Sequence, residues 1–278
     1  MKKWYSVIGD PIHQSMSPQM HDEWFTENAV DATYTPHHVT KDALEKAVQS
    51  LKHLGCSGWN VTVPHKTAII RYLDEIDATA KHMNAVNTVV VTEEGRLRGY
   101  NTDGDGFVRS LEEQFGDVAK GNQVLVIGAG GAARGICFAL EAHGYGPITI
   151  ANRTIEKAEQ LADDLQHAKP ISLADAENTL ATFSLIIQTT SVGMNYAKAG
   201  IPINMENVAK DTIVADIIYN PLETEFLQEA KKHGAKTMNG VGMFVHQGAI
   251  AFEKWTGICP NTKDMIDQIT TKLGGTLC

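Results

Sequence analysis

The sequence predicts an α/β protein of two domains: an N-terminal α/β domain completed by C-terminal helices, and a middle domain built on a doubly wound parallel sheet. Three observations carry this reading. At 278 residues the chain exceeds one average domain of roughly 100–200 residues. Short β-rich runs alternate with stretches of helical period through most of its length, the pattern of parallel strands joined by helical crossovers. After Gly240 the pattern turns to helix alone, and such a tail must cover its apolar stripe on something already folded. The expected boundaries are 1–103 plus 240–278 for a discontinuous first domain and 104–239 for the middle one.

In order along the chain, Lys3 to Ile8 reads as a strand, Pro18 to Glu27 as a helix, Thr33 to Val39 as a strand and Asp42 to Leu54 as a helix. Trp59 to Val63 is a strand broken by Pro64, followed by a helical stretch around Thr67 to Leu73. Thr88 to Thr92 and Arg96 to Tyr100 form a hairpin about the Glu94-Gly95 turn. The middle domain opens with an apolar strand, Gln123 to Ile127, a glycine-rich turn and a helix from Ala132 to Ala142. Pro147 to Ala151 and Ile155 to Gln166 are the next strand and helix, and Ser184 to Thr189 and Thr212 to Asp216 two further buried strands. A site is expected at the carboxyl ends of these strands. Met243 to Thr256 and Thr262 to Leu273 are the closing helices.

Composition excludes several classes. The 33 acidic against 24 basic side chains leave a formal charge of −9, which disfavours nucleic acid and anionic membrane as partners. The longest apolar runs fall far short of the roughly 18 residues of a membrane span. Gly9, Asp10 and Pro11 interrupt any signal-peptide core behind Lys2 and Lys3, so a cytoplasmic protein is expected. Cys56, Cys137, Cys259 and Cys278 are scattered with no Cys-x-x-Cys, so four reduced thiols and no metal are expected.

Gly128-Ala129-Gly130-Gly131-Ala132-Ala133 fits G-x-G-x-x-A between a strand and a helix. Such glycines allow a tight turn and bring backbone N–H groups and a helix N-terminus to a pyrophosphate. Glycines of this kind also join strands to helices for packing alone, but the strand–turn–helix context favours a Rossmann-type dinucleotide site. Where an NAD site carries an acidic residue for the ribose, this chain has Asn152-Arg153-Thr154, with Lys157 one helical turn beyond Arg153. Those groups suit a 2′-phosphate, and NADP is the expected cofactor. A helix cap at Thr154 beside two solvated bases is the blander alternative.

In the first domain, Ser15-Met16-Ser17-Pro18 puts Ser17 at a helix N-cap and Pro18 at the first helical position. Capping accounts for Ser17 and leaves Ser15 over; two hydroxyls beside a helix N-terminus also make a seat for a carboxylate. Asn60-Val61-Thr62-Val63-Pro64-His65-Lys66 ends a strand abruptly, throwing Thr62 and Lys66 toward its carboxyl end. Asn84 to Asn87 and Asn101-Thr102-Asp103 are polar clusters of the kind that form turns. Together they offer an ammonium, a carboxylate, amides and hydroxyls near one sheet edge, a set that suits a polyhydroxylated acid.

These motifs resemble the shikimate dehydrogenase family over essentially the whole chain. The likeness rests on Gly9-x-Pro11-Ile12, Ser15-x-Ser17-Pro18, Asn60-Val61-Thr62-Val63-Pro64-x-Lys66, Asn84-Ala85-Val86-Asn87-Thr88 and Asn101-Thr102-Asp103-Gly104. It continues through Gly128 to Ala133, Asn152-Arg153-Thr154, Asp216-x-x-Tyr219-Asn220-Pro221 and Gly240-x-Gly242-Met243 with Gln247. The resemblance implies reversible NADP-dependent oxidation of shikimate to 3-dehydroshikimate, a step toward the aromatic amino acids. It implies that Ser15, Ser17 and Tyr219 hold the carboxylate and that Thr62, Lys66, Asn87, Asp103 and Gln247 face the ring hydroxyls. It likewise implies that Gly128, Ala129, Gly130, Gly131, Ala132, Asn152, Arg153, Thr154, Lys157, Ile217 and Gly240 line the cofactor. Two positions depart from the family pattern: Gln14 stands where a histidine is common, with His13 one residue early, and Asn84 replaces a glycine, a change a left-handed turn tolerates.

Hydride leaves a carbinol carbon only as its hydroxyl loses a proton, so a base is required beside it. Lys66 with Asp103 is the candidate pair. A carboxylate neighbour favours the ammonium whereas a base must be neutral, so the proton is assigned to the pair rather than to Lys66 alone. The partners expected are a small-molecule substrate and no nucleic acid or membrane, with the chain a monomer or homodimer. A quinate/shikimate dehydrogenase of looser choice and a non-catalytic NADP sensor are the rival readings; the presence of both Lys66 and Asp103 speaks against the sensor.

Overall fold

The computed structural model describes residues 2–117, 119–194 and 199–274. It divides into two compact units, one taking the chain up to Asp103 together with Gln247–Met265, the other taking Gly104–His246 and the chain from Ile266.

The first unit holds β1 (Lys3–Gly9), α1 (Ser17–Glu27), β2 (Ala32–His38), α2 (Leu44–His53), β3 (Gly58–Val61), β4 (Glu75–Ile76), α3 (Ala78–Met83), β5 (Thr88–Val91) and β6 (Leu97–Tyr100). The strands form one mixed sheet in the order β2-β1-β3-β5-β6-β4. β2, β1 and β3 are mutually parallel, whereas β5 runs antiparallel to both β3 and β6. On one face Ile8, Trp59, Val61 and Val89 pack with Leu44, Val48 and Leu51, which recur at helical spacing along α2. On the other, Tyr5 stacks between Phe25 and Trp255 at ring-centroid distances of 5.3 and 4.9 Å. Gly58 makes this possible, because a Cβ there would lie 2.4 Å from Trp255 Nε1, which donates instead to the Val89 carbonyl at 3.0 Å.

The second unit begins with α4 (Asp103–Phe115), whose first residue still belongs to the first unit, and continues through β7 (Val124–Ile127), α5 (Gly131–Ala142), β8 (Ile148–Ala151), α6 (Ile155–Asp163), β9 (Ala168–Ile171), α7 (Leu173–Asn178), β10 (Leu185–Gln188), β11 (Ile213–Asp216), α8 (Glu225–Lys232) and β12 (Lys236–Met238). Its sheet has the order β12-β11-β10-β7-β8-β9 and is parallel throughout. That is the doubly wound arrangement, with its switch point between β7 and β10. The continuous apolar runs of β7, β10 and β11 follow from burial on both faces. Val124 and Val126 pack toward Phe107, Ile136 and Leu161, and Leu125 and Ile127 toward Ala176, Phe226 and Leu227. The chain closes with α9 (Val241–Thr256) and α10 (Thr262–Lys272).

Several elements differ from the sequence reading. The stretch around Thr67 to Leu73 is a 3₁₀ turn over Ala68–Tyr72, and the second helix begins with a 3₁₀ turn at Lys41–Ala43. β4, α3, α4, β9, α7, α8 and β12 are additional to it. α4 opens Asp103-Gly104-Asp105-Gly106, a poor helix former on propensity alone. Packing overrides propensity there: a Cβ on Gly104 would lie 2.3 Å from the Gly135 carbonyl oxygen, so glycine lets α4 lie against α5. Ser17 is not the capping side chain. Met16 occupies the N-cap, and the Ser17 N–H donates to Ser15 Oγ at 3.3 Å. Asn84 takes φ 50° and ψ 37°, the left-handed C-cap of α3 that its substitution for glycine anticipates.

Candidate active site

Strand direction collects the first unit's polar residues at one sheet end. β1 and β3 are parallel, so the loops that follow them, bearing Ser15 and Ser17, then Thr62 and Lys66, emerge together. A bond from the Asp10 N–H to the Val63 carbonyl at 2.9 Å ties the two loops. β5 is antiparallel and therefore begins where β3 ends, which puts Asn87 at that edge, and the return along β6 delivers Asp103 there as well.

Three of these side chains meet directly. Lys66 Nζ lies 2.5 Å from Asp103 Oδ2, and Asn87 Nδ2 donates to Asp103 Oδ1 at 2.8 Å. Asp103 is mostly buried, and Lys66 keeps 30% of its side-chain surface exposed. The Lys66 carbonyl accepts from the Val86 N–H at 2.8 Å, so backbone as well as side chain binds this loop to the Asn87 segment. Thr62, half-buried, closes the same turn by accepting the His65 N–H at 2.9 Å. Ser17 is buried, Ser15 half-buried and His13 exposed. Gln247 lies on α9 within the first unit, whereas Tyr219 belongs to the second, its ring 5.0 Å from that of Phe244. Burial raises the Tyr219 hydroxyl's pKa, so it stays a protonated donor.

In the second unit the glycine turn follows β7 at the switch point. Gly128 is required by the fold: its φ is +113°, and a Cβ there would come 2.5 Å from Thr189 Oγ1. Gly130 and Gly131 are different. A Cβ on either would meet nothing within 4 Å, and neither adopts the left-handed backbone. Packing therefore does not explain them, whereas an approaching phosphate would need the room they leave, beside a helix whose N-cap carries no side-chain hydrogen bond. Ala129 and Ala132 complete this turn with side chains too small to obstruct it.

Asn152, Arg153 and Thr154 follow β8, the strand beside β7. Thr154 occupies the N-cap of α6 without making a side-chain cap bond, and its carbonyl accepts from Asn152 Nδ2 at 2.8 Å. Arg153 and Lys157 are exposed, and among the described residues neither has an ion-pair partner. Uncommitted cations at the end of the second strand suit the extra phosphate of NADP. Ile217 and Gly240 are neighbours: a Cβ on Gly240 would lie 2.1 Å from the Ile217 carbonyl oxygen, and its N–H donates to the Ile218 carbonyl at 2.9 Å.

The sequence reading missed three features. Asn60, Thr88 and Thr102 hydrogen-bond around Asn87, which is a buried hub rather than a turn former. Asp216, wholly buried at the end of β11, accepts from the Ile218 N–H at 3.0 Å and from Thr224 Oγ1 at 2.8 Å, and burial raises its pKa to about 6. Gln188, also wholly buried, donates to the Thr190 and Val192 carbonyls at 3.1 and 3.0 Å, shaping the loop against Gly128. A polar residue ending an apolar strand was the available signal for the last two.

Family models match three stretches: a shikimate dehydrogenase substrate binding domain over residues 7–89, shikimate / quinate 5-dehydrogenase over 110–221, and the shikimate 5'-dehydrogenase C-terminal domain over 240–270. A shikimate dehydrogenase (NADP(+)) of Lysinibacillus sphaericus is 57% identical, the match covering 99% of this chain and 100% of the relative. A shikimate dehydrogenase solved in complex with NADP+ is 41% identical with a TM-score of 0.92, covering 98% of this chain and 96% of that one. The Thermus thermophilus shikimate 5-dehydrogenase, solved with NADP(H) and shikimate, is 32% identical with a TM-score of 0.88, covering 98% and 99%.

Proposed function

The chain belongs to the shikimate dehydrogenase family, and from that premise we propose that Lys66 and Asp103 carry the proton in its reaction. The reaction is the reversible, NADPH-dependent reduction of 3-dehydroshikimate to shikimate in aromatic amino acid biosynthesis, making the chain an oxidoreductase acting on a CH–OH group. The substrate is a small molecule.

In the reducing direction the carbonyl carbon gains hydride and its oxygen gains a proton. Bound NADPH supplies the hydride. Lys66 supplies the proton from Nζ, and Asp103, with one oxygen on Lys66 and the other on Asn87, fixes where that proton points. In this direction the ammonium form of Lys66 is the proton donor, and in the oxidising direction the same pair takes the proton back. Thr62, Asn87 and Gln247 complete the polar surround of the ring hydroxyls. Ser15, Ser17 and Tyr219 hold the carboxylate, with Ser15 Oγ occupied locally by the Ser17 N–H and Ser17 Oγ not used as a cap. Gly128 through Ala132 receive the pyrophosphate, Asn152 through Lys157 the 2′-phosphate, and Ile217 and Gly240 also line the cofactor. Residues 1–103 with 240–278 form the catalytic domain and 104–239 the NADP domain.

The carrying observation is the 2.5 Å Lys66–Asp103 contact with Asn87 on the second carboxylate oxygen. The test is absorbance at the reduced-nicotinamide band with purified protein, pairing shikimate or quinate with NADP or NAD. Signal chiefly with shikimate and NADP is expected. Signal chiefly with quinate or NAD moves the chain to the quinate-using branch, and none with any pair returns it to a non-catalytic role. The protein works in the cytoplasm, a reading supported by the free, buried Cys56 and Cys137, and among the described residues no helix is long and apolar enough to cross a membrane. It acts as a monomer or homodimer, which sedimentation resolves.

A further inference from the structure

A line of hydrogen bonds runs from the edge strand β2 across the first sheet to the proton-transfer pair. Tyr34 OH donates to Asn60 Oδ1 at 2.6 Å, and Asn60 Nδ2 donates to Thr88 Oγ1 at 3.1 Å. Thr88 Oγ1 donates to Asn87 Oδ1 at 2.9 Å, and Asn87 Nδ2 donates to Asp103 Oδ1 at 2.8 Å. All four residues upstream of Asp103 are buried, with Thr88 wholly so.

The donors all point the same way, and the chemistry of each group enforces it. A side-chain amide is ambiguous until its neighbours choose which end is oxygen, and a threonine hydroxyl turns to whichever acceptor is open. The Asn87 backbone carbonyl removes the ambiguity at Asn60, since it can only accept and so draws Nδ2; burial of Tyr34 against the flat ring of His21, 4.5 Å away at 15°, keeps its phenol protonated to donate to Oδ1. His21 itself stays neutral, since burial lowers its pKa to about 3. With Asn60 Oδ1 committed to Tyr34, Nδ2 faces Thr88 and the Asn87 carbonyl, the latter at 3.2 Å. Thr88, already an acceptor, sends its proton to Asn87 Oδ1, which also takes the Thr102 N–H at 2.9 Å. Asn87 must then present its NH₂ end to Asp103.

We propose that Tyr34 and Thr88 are positioning residues for the reaction: acting through Asn60 and Asn87, they hold the Asp103 carboxylate in the orientation that aims the Lys66 ammonium. This rests on the assignment of proton transfer to Lys66 and Asp103. Loss of an upstream group leaves the Asn87 side-chain oxygen held by Thr102 without Thr88 and so loosens the amide that steadies Asp103. The line runs through residues of the first unit, so kcat is the readout and KM for NADPH the control.

The test compares kcat and KM for Thr88→Val, Thr88→Ser, Tyr34→Phe and the Thr88→Val/Tyr34→Phe double variant, with Lys66→Met as reference. Thr88→Val, equal in shape but without the hydroxyl, should lower kcat about 5- to 20-fold at unchanged KM for NADPH, the worth of one hydrogen bond in a coupled buried network. Thr88→Ser restores the hydroxyl and should restore most of kcat. Tyr34→Phe should cost less, about 2- to 5-fold, because the Asn87 carbonyl still resists an amide flip at Asn60. The double variant should be no slower than Thr88→Val, because the line is already cut. A merely structural role lowers thermal stability but leaves kcat of the folded enzyme alone. Unchanged kcat in Thr88→Val and Tyr34→Phe, or losses that multiply in the double variant, overturns the proposal. A normal kcat in Lys66→Met instead overturns the underlying assignment of the proton.

Discussion

Replacing Asp216 by asparagine probes what a buried carboxylate costs the nucleotide-binding sheet. The side chain is wholly buried, and its two hydrogen bonds, to the Ile218 N–H and Thr224 Oγ1, do not offset the loss of water: its pKa stands at about 6 against an ordinary 3.8. A folded-state value raised above the unfolded one means the folded state binds the proton more tightly. The stability that proton contributes is complete below about pH 4 and is lost as pH rises through about 6. At 1.36 kcal/mol per pH unit, the gap corresponds to about 3 kcal/mol as an upper figure. Asparagine keeps the shape, can still accept from Ile218, and never ionises. Asp216→Asn should therefore match the native protein near pH 4 and exceed it by about 1–3 kcal/mol at pH 7.5, a rise of several degrees in the melting temperature. Calorimetric unfolding of both proteins between pH 4 and 8 reads the difference directly and cancels the titration of every other group. A variant less stable at pH 7.5, or a difference that does not change with pH, would refute the reasoning.

Three further substitutions test the remaining assignments. Lys66→Met should lower kcat by about 10²- to 10⁴-fold with little change in KM for shikimate, and steady-state kinetics that show kcat nearly intact would remove Lys66 from the chemistry. Arg153→Asp, which places a carboxylate where the 2′-phosphate is expected, should weaken NADPH by about 10- to 100-fold and leave NADH much less affected; an unmoved NADPH/NADH ratio would sink that assignment. Gly104→Ala drives a methyl to within 2.3 Å of the Gly135 carbonyl oxygen, and the shift of α4 from α5 should cost about 1–3 kcal/mol in denaturant unfolding.

What the sequence revealed and what it hid have physical reasons. The central strands of the second sheet were legible because Val124–Ile127 and Leu185–Ile187 are unbroken apolar runs, whereas the short strands β4, β9 and β12, with no such run, were not. The proton pair was legible as residue types near one edge, and its geometry was not, because Lys66 and Asp103 lie 37 positions apart and meet only through the strand order β3-β5-β6. α4 was hidden because its two opening glycines signal a turn, and the purpose of Gly104 appears only against the backbone of α5. Asn84 and Asn87 look alike three residues apart, yet one is a left-handed cap and the other the hub of a buried network. The glycine turn was recognisable as a motif, but its division of labour was not. Gly128 serves the fold, whereas Gly130 and Gly131 leave open space.

The first sheet also makes enzymatic activity a gauge of registration. Lys66, Asn87 and Asp103 hang from three successive neighbours in the sheet, each held by its ladder: Asn60 opposite Thr88, and Thr88 opposite Tyr100. Sliding β5 by one position would leave most of the sheet's apolar surface intact in amount but turn its side chains to the opposite faces, taking Asn87 from Asp103. Such a misaligned species would still be compact and rich in β-structure, and it would be catalytically silent. Recovery of turnover after dilution from denaturant therefore comes no earlier than the locking of the last of these three strands, a step that far-ultraviolet circular dichroism would not distinguish.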